Sequence, residues 1–574
     1  MRQGTWLARG AASAAAAVLV LLAACGGGAS SGGGDTPAPG SQTGSLTLGL
    51  AGGAPAGFSH VWVTVDSVAL NTDPDRPWSS SDSSWQVVHL DTPQTIDLAA
   101  SVNGVIAPLL TGKILPATTY GQLRLFVLRH DDPLADSART LQLLYNAEAD
   151  SVDASGSAHR VPLEFPDAGL GLRVAGAITI GTNVASSLTL QWDLEHSAVR
   201  FVSDDGVDRV TMRPDLRIYD IAQTGAIVGL MDKSVFCPAG VRSGCVYDVV
   251  ATAQAVSADG RFMVSVRSTP VVVGSTYAQF ALYPLPPLAD GATFDVVIRG
   301  RNMRTMVIRA VPASAAQLLA ANPTQIGVDM TNPQVPVAAP LVPQLSAQGD
   351  SLVSLNVPTV PPSAQLLFGQ TLPGTGELPH EVMVANTDPF TGLLADPVAL
   401  PSGPLMVATY SSTGVLGFSD ATPQEGSDHY SLVTLGTRYD DPSAIANVAA
   451  PGGSSASVTA PITLRIGTQV APLTVGITGG STQSIDAAEL VVSDVGGIVA
   501  TQDVSSLIGV NGAQTALQLP AGPAAAALGG TAVYSVAIRA WKRSAPDSSL
   551  HWARAASVVD LRSAAPASVT ISLP

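Results

Sequence analysis

An all-β chain of several antiparallel β-sandwiches is what this sequence predicts, and three observations predict it. Short alternations of apolar and polar residues recur along most of the chain, and clusters of Gly, Pro, Asp and Ser separate them. Helical periods are few. A length of 574 residues exceeds what one core organises, so several domains are expected.

In chain order, Leu46, Leu48 and Leu50 share one face of a first strand. Val61, Val63 and Val65 then alternate with Trp62, Thr64 and Asp66, and Leu123, Leu125 and Val127 with Gln122, Arg124 and Phe126. Leu188, Leu190, Trp192 and Leu194 alternate with Thr189, Gln191, Asp193 and Glu195. Each pattern sends one face to a core and the other to water. Helix is expected only at Ala313 to Ala321, bridging two domains, and at Ala524 to Leu528. Pro-rich stretches at 333–343 and 358–362 read as linkers or edge segments, while Ser457 to Ile466 and Val533 to Ala540 continue the β pattern. The expected division is 44–220, 221–312, 313–460 and 461–574, behind a leader over 1–24 and a tether over 25–43.

The leader has a positive start at Arg2 and Arg9 and an apolar run from Ala11 to Leu22, the form of a signal peptide. The run is shorter than the roughly 20 residues of a spanning helix. Leu22-Ala23-Ala24-Cys25 resembles the lipobox of bacterial lipoproteins, which implies cleavage before Cys25 and lipidation of its thiol. Gly26 resembles the outer-membrane default of lipoprotein sorting. Residues 26–44 are Gly- and Ser-rich, too poor in apolar groups to pack, and read as a flexible tether. Gly28-Ala29-Ser30-Ser31-Gly32 within it fits the G-x-S-x-G pattern, which has catalytic meaning only on a strand-to-helix elbow.

A net charge of −16 argues against nucleic acid and against a broad electrostatic grip on anionic lipid. With Cys25 committed to lipid, Cys237 and Cys245 remain and are expected to pair in an exported protein.

The segments from Gly44, His60 and Trp85, then Ile96-Asp97-Leu98, Leu115 to Leu125, Trp192-Asp193-Leu194 and Arg213 to Ile218 resemble, in order and spacing, the domain-of-unknown-function 4382 family over about residues 44–220. That family occurs in secreted and lipid-anchored prokaryotic proteins, and the resemblance implies a fold and an envelope setting but no reaction. The sequence departs from it at Ala51-Gly52-Gly53, where the family often carries an acid. Residues 221–312, with Gly225 to Gly229 and Ala258-Asp259-Gly260-Arg261-Phe262, are similar to carboxypeptidase-regulatory-like, prealbumin-type sandwiches. The Cys237–Cys245 loop would then be a hairpin pinned by a disulfide.

Motifs for chemistry are sparse. The eight histidines are scattered singly, and no zinc, P-loop or dinucleotide signature is present. His130-Asp131-Asp132 offers a base and two carboxylates, although Asp-rich turns use such residues for backbone bonding. Asp73, Asp75 and Asp82 have the alternate oxygens of a calcium loop, but Arg76 stands where that loop needs glycine; Asp204-Asp205-Gly206-Val207-Asp208 is a second such candidate. Arg299, Arg301, Arg304 and Arg309 form a cluster suited to phosphate or to an acidic glycan, or else a solvated hairpin. Trp541 and Trp552 would face each other across a symmetric hairpin, as an exposed platform for sugar rings or as a buried cross-strand pair.

These readings lead to a lipid-anchored envelope protein, non-catalytic, that binds a protein or glycan ligand by adhesion or scaffolding. One rival is an envelope hydrolase whose site assembles only in three dimensions. The other is an accessory subunit of a secretion or pilus system that pairs through strand edges. Outside the membrane and such a ligand no partner is expected, and calcium is the one cofactor left open.

Overall fold

The computed structural model describes residues 42–574 with short interruptions, among them 203–207, 357–363, 389–392, 436–438, 441–445, 460–464, 523–531 and 546–549. The leader, Cys25, the Asp204 to Val207 part of the second calcium candidate and the Ala524 to Leu528 run lie outside the described residues. The described chain is all-β and multi-domain.

In the first sandwich, Thr43–Ala51 pairs in parallel with Ala185–Trp192 and antiparallel with Ala107–Pro116, and Leu216–Asp220 completes a four-stranded sheet. An eight-stranded sheet built on Phe58–Asn71 packs against it. Between them lie Leu46, Leu48 and Leu50 from one sheet and Val61, Val63, Val65, Leu123 and Leu125 from the other, all buried. Each such side chain contributes roughly 1.5–3 kcal/mol on burial. A one-residue slip would turn the whole set to the wrong face, so the alternation fixes the register. The opposite faces are drier than expected: Thr64, Thr189 and Gln191 are also buried. Neighbouring units cover part of that surface, as where Gln191 Nε2 donates to the Val266 carbonyl at 3.0 Å.

The central region is dominated by one ten-stranded sheet. Tyr247–Val256, Met263–Pro270, Phe294–Arg301 and Met306–Val311 join Gln365–Thr371, Pro379–Asn386, Leu405–Thr409 and His429–Leu435 in it. Two parallel contacts, Met263 with His380 and Met306 to Arg309 with Met406 to Thr409, carry the sheet across. The expected boundary after residue 312 therefore falls inside a sheet. The helix expected over Ala313 to Ala321 is only a 3-10 turn at Ala315–Gln317. Leu318 turns to extended backbone directly after it, and beyond Pro323 the strand Thr324–Ile326 pairs with Gly225–Met231. Cys237 and Cys245 form their disulfide. Their loop is not a regular hairpin, because Phe236 and Val246 beside it bridge in parallel.

The last sandwich packs a sheet of Ala513–Pro520, Val470–Gly479 and Ala567–Leu573 against Gly497–Asp503, Ala487–Asp494, Val533–Trp541 and His551–Arg554. Leu473, Val475, Leu490, Val492, Tyr534 and Ile538 fill it.

Candidate functional site

The hairpin of Val533–Trp541 and His551–Arg554 positions the site. Its register sets Arg539 opposite Trp552 and Ala540 opposite His551, so Trp541 and Trp552 are offset rather than paired as symmetry would have it. Alternation places Trp552 and Arg554 on one side of their strand, the side of Arg539 and Trp541. That side meets the first sandwich. The Arg539 guanidinium lies 5.1 Å from the ring centres of both Phe201 and Trp541. Its Nη1 is 3.0 Å from Glu489 and its Nε 3.4 Å from Glu164, both Arg539 and Glu164 being about 1% exposed. Trp541, buried here, is interface and not a sugar platform.

Beside this weld the two sandwiches part into a small cleft of about 130 Å³, lined by His130, Asp131, Tyr145, Pro162 and Arg209 of the first and Leu550 of the last. The His130-Asp131-Asp132 segment is a turn, as its composition implied, and its carboxylates are held by Arg129 at 3.3 Å (Asp131) and 2.7 Å (Asp132). The His130 ring stands edge-on to Tyr145, centres 6.1 Å apart. Burial lowers the His130 pKa; Glu164 and Asp131 oppose that, and the Arg554 and Arg209 charges add to it. The imidazole is therefore neutral at pH 7. Arg209 is buried, with Nη1 3.8 Å from Glu164.

Arg554, on the same hairpin, is not among the residues that line the cleft. Burial, assisted by the like charge of Arg129, pushes its pKa down to about 10, against the pull of Asp131, Asp132 and Glu164. The guanidinium sits 5.4 Å over the Trp552 ring, and Nη1 reaches only the Trp552 carbonyl at 3.5 Å. Its Nε and the Trp552 Nε1 are buried with no hydrogen-bond partner among the described residues. The cleft thus offers a neutral imidazole, a phenol, guanidinium charge and the apolar walls of Pro162 and Leu550. Among the described residues no serine, threonine or cysteine lines it.

The other sites read from sequence are structural elsewhere. Arg299 pairs with Glu195, Arg301 with Asp350 at 2.6 Å, Arg304 with Asp420 at 2.7 Å and Arg309 with Glu377 at 3.1 Å. Each arginine is thus spent on a carboxylate from a distant segment, and the four do not form an anion site. Of the calcium candidates, Asp73 accepts from the Asp75 amide at 2.9 Å. Asp82 accepts from Arg76 Nε at 2.7 Å and from the Ser84 amide at 2.9 Å. No three metal-ligating side chains converge among the described residues.

One charged cluster carried no recognisable signal in the sequence. At the seam between the first sandwich and the ten-stranded sheet, His196 Nδ1 lies 2.7 Å from Asp193 and Nε2 3.3 Å from Glu381. Glu381 also accepts from the Ser265 hydroxyl at 2.6 Å. Burial opposes every charge here. The two carboxylates nonetheless raise the His196 pKa well above its ordinary value, and the imidazolium lowers those of Asp193 and Glu381.

The sandwich that supplies most of the cleft also carries the recognisable sequence. Residues 43–214 match the family described as domain of unknown function DUF4382. The DUF4382 segment thus contributes His130, Asp131, Tyr145, Pro162 and Arg209 to the cleft. No curated protein matches the chain. Among solved structures it is similar to the Bacillus anthracis TIE protein, at 8% identity over 90% of this chain and 69% of that one, TM-score 0.15. A streptococcal ancillary pilin matches at 11% identity over 61% and 99%, TM-score 0.15. The Corynebacterium diphtheriae major pilin SpaA matches at 10% identity over 72% and 99%, TM-score 0.13. Such scores correspond to no common overall superposition.

Proposed function

We propose that this protein is a non-catalytic binding module of the bacterial cell envelope, held to the outer membrane by lipid on Cys25 and engaging its ligand at the cleft between the DUF4382 sandwich and the last sandwich. The observation that carries this reading is the composition of the cleft: an imidazole, a phenol, a guanidinium, a carboxylate held by Arg129 and apolar walls, with no serine, threonine or cysteine among the described residues that line it. Acyl transfer would need such a nucleophile within hydrogen-bond reach of His130. Buried charge at both seams of the DUF4382 sandwich supports the same reading, since a preorganised body loses less freedom on binding. The anchor rests on the lipobox-like Leu22-Ala23-Ala24-Cys25, and the Gly/Ser tether would let the body stand away from the bilayer.

Metabolic labelling with a palmitate analogue, combined with protease shaving of intact cells, tests this reading. Labelled protein that loses its label and its membrane fractionation on Cys25→Ala supports the anchor. Cleavage of the body in intact cells, with a periplasmic marker spared, would place the ligand outside the cell. An unlabelled, freely soluble wild-type protein would overturn the anchor. Turnover of an envelope ester or glycoside by wild-type protein, lost on His130→Ala, would overturn the non-catalytic reading.

A further inference from the structure

We infer that the last sandwich carries a self-association surface: its strand Ala513–Pro520 pairs antiparallel with the same strand of a second copy of this chain.

That strand is an outer member of a three-stranded sheet and pairs on one side only, with Val470–Gly479. Its ladder is unbroken, running through eight consecutive residue pairs from Val470 with Pro520 to Ile477 with Ala513. On its other side no backbone hydrogen bond reaches residues 514 to 519 among the described residues. Such an edge presents a row of donors and acceptors at the spacing that a further strand needs. Gln514, Ala516 and Gln518 are exposed on the outer face. Thr515 points the other way, where its hydroxyl donates to Gln502 of the facing sheet at 2.9 Å.

Other long edge strands are guarded. Gln86–Asp97 carries Asp91 and Pro93, Ala107–Pro116 carries Pro108 and Lys113, and Gly497–Asp503 ends in an acid and lies against a register shift at Val492 and Ser493. Ala567–Leu573, the opposite edge of the same sheet, lies between Pro566 and Pro574, which have no amide to donate. Ala513–Pro520 has none of these devices before its last residue.

Charge and symmetry identify the occupant. The net charge of −16 holds two copies of the chain apart, but residues 461–574 contain six basic and six acidic side chains, so the excess acid lies wholly in residues 1–460. None of the three strands of the sheet carries a charged residue. Two copies therefore meet at this edge without mutual repulsion. In a continued sheet, residues opposite one another lie on the same face. A two-fold axis at Ala516 satisfies that condition. Ala516 then faces its own copy, Gln514 faces Gln518 of the second copy on the outer face, and Thr515 faces Leu517 on the inner one. The two amides of each Gln514 and Gln518 pair can donate to and accept from each other. Pro520 falls beyond the paired residues, opposite Gly512. The result is a closed dimer with a continuous six-stranded sheet, joined by about six to eight backbone hydrogen bonds, two for every second residue pair.

The experiment is sedimentation velocity of the full chain carrying Cys25→Ala, so that no acyl chain contributes to association, over a series of concentrations. The expected result is a monomer–dimer equilibrium that shifts with concentration. Gln514→Lys combined with Gln518→Lys sets like charges opposite each other at both ends of the pairing and should weaken dimerisation about tenfold. Gln514→Lys combined with Gln518→Glu sets opposite charges there and should restore it. Thermal melting of the chain should be unchanged in both variants, because the two positions are exposed and keep their pairing with Gly476 and Pro472. A chain that stays monomeric at every concentration would overturn the inference. A dimer indifferent to the double lysine variant would place the interface elsewhere and overturn it equally. Loss of the dimer without rescue by the lysine and glutamate combination would overturn the two-fold register at Ala516. Species growing beyond the dimer would overturn the closed pairing in favour of head-to-tail joining of Ala513–Pro520 to Ala567–Leu573.

Discussion

The DUF4382 sandwich meets the rest of the chain along two seams that hold buried charge with different groups. Against the ten-stranded sheet, Asp193, His196 and Glu381 form a dry triad whose hydrogen bonds are closed by Ser265 and whose neighbour Arg299 has Glu195. Against the last sandwich, Arg539 is clamped between Phe201 and Trp541 with two carboxylates, but Arg554, on the partner strand of the same hairpin, has none among the described residues. The first seam also holds Arg267, which is buried, donates to the Gly52 and Ser101 carbonyls and has no carboxylate within ion-pair distance among the described residues. The second is a weld with a cleft beside it, and the two differ in what closes the buried charge: an imidazolium between two carboxylates at the first, a guanidinium between two carboxylates and two rings at the second.

That comparison is broken or sharpened by substitution. The largest effect is expected for Glu381→Leu, which leaves the buried His196 imidazolium with Asp193 alone and the Ser265 hydroxyl without its acceptor. Losing one partner of such a group costs about 3–5 kcal/mol, read as a shift in the urea midpoint of the full chain. Arg539→Met should cost nearly as much, because it leaves Glu164 and Glu489 without their shared cation at the second seam. If Arg539→Met is silent, the weld is not one. Reduction of Cys237–Cys245 should cost less, about 2 kcal/mol for so short a loop, and its effect should add to that of Glu381→Leu, since the two share no partner.

A pH series resolves the first seam further. The His196 pKa is raised in the fold, so its contribution is fully present below about pH 6.5 and declines as pH rises toward the folded value. Those of Asp193 and Glu381 are lowered, so theirs is present above their ordinary values of 3.8 and 4.5 and is lost as pH falls below them. The stability difference between wild type and His196→Gln should therefore be greatest between about pH 4.5 and 6.5. A difference that is flat from about pH 4 to 9 would mean that His196 does not carry a charge in the fold.

How much of this was legible in the sequence follows from the range of each interaction. The faces of Leu46 to Leu50 and Val61 to Val65 depend on a two-residue period and could be read directly, as could the Cys237–Cys245 pairing. The arginines at 299 to 309 looked like an anion site because their partners, Glu195, Asp350, Glu377 and Asp420, lie far along the chain and no local pattern announces them. The Trp541 and Trp552 register was missed for a nearer reason: symmetry about 544–550 is only one way to close that connection, and the observed pairing is offset. Arg267 is similar, a buried arginine bonded to the carbonyls of Gly52 at 2.7 Å and Ser101 at 3.5 Å, with no carboxylate in its own segment of sequence to announce those partners. Of the cleft, only His130-Asp131-Asp132 was visible, because Tyr145, Arg209 and Leu550 meet it through tertiary structure alone.

The most direct test of the contrast between the seams is one urea-denaturation series comparing Glu381→Leu with Arg554→Leu in the full chain. Arg554→Leu removes a partly buried cation with no ion-pair partner among the described residues, so its folding free energy should stay within about 1 kcal/mol of wild type or rise, while Glu381→Leu falls by several times that. If Arg554→Leu destabilises the chain as much as Glu381→Leu does, Arg554 is part of the weld, and the second seam, like the first, holds its charge for the fold.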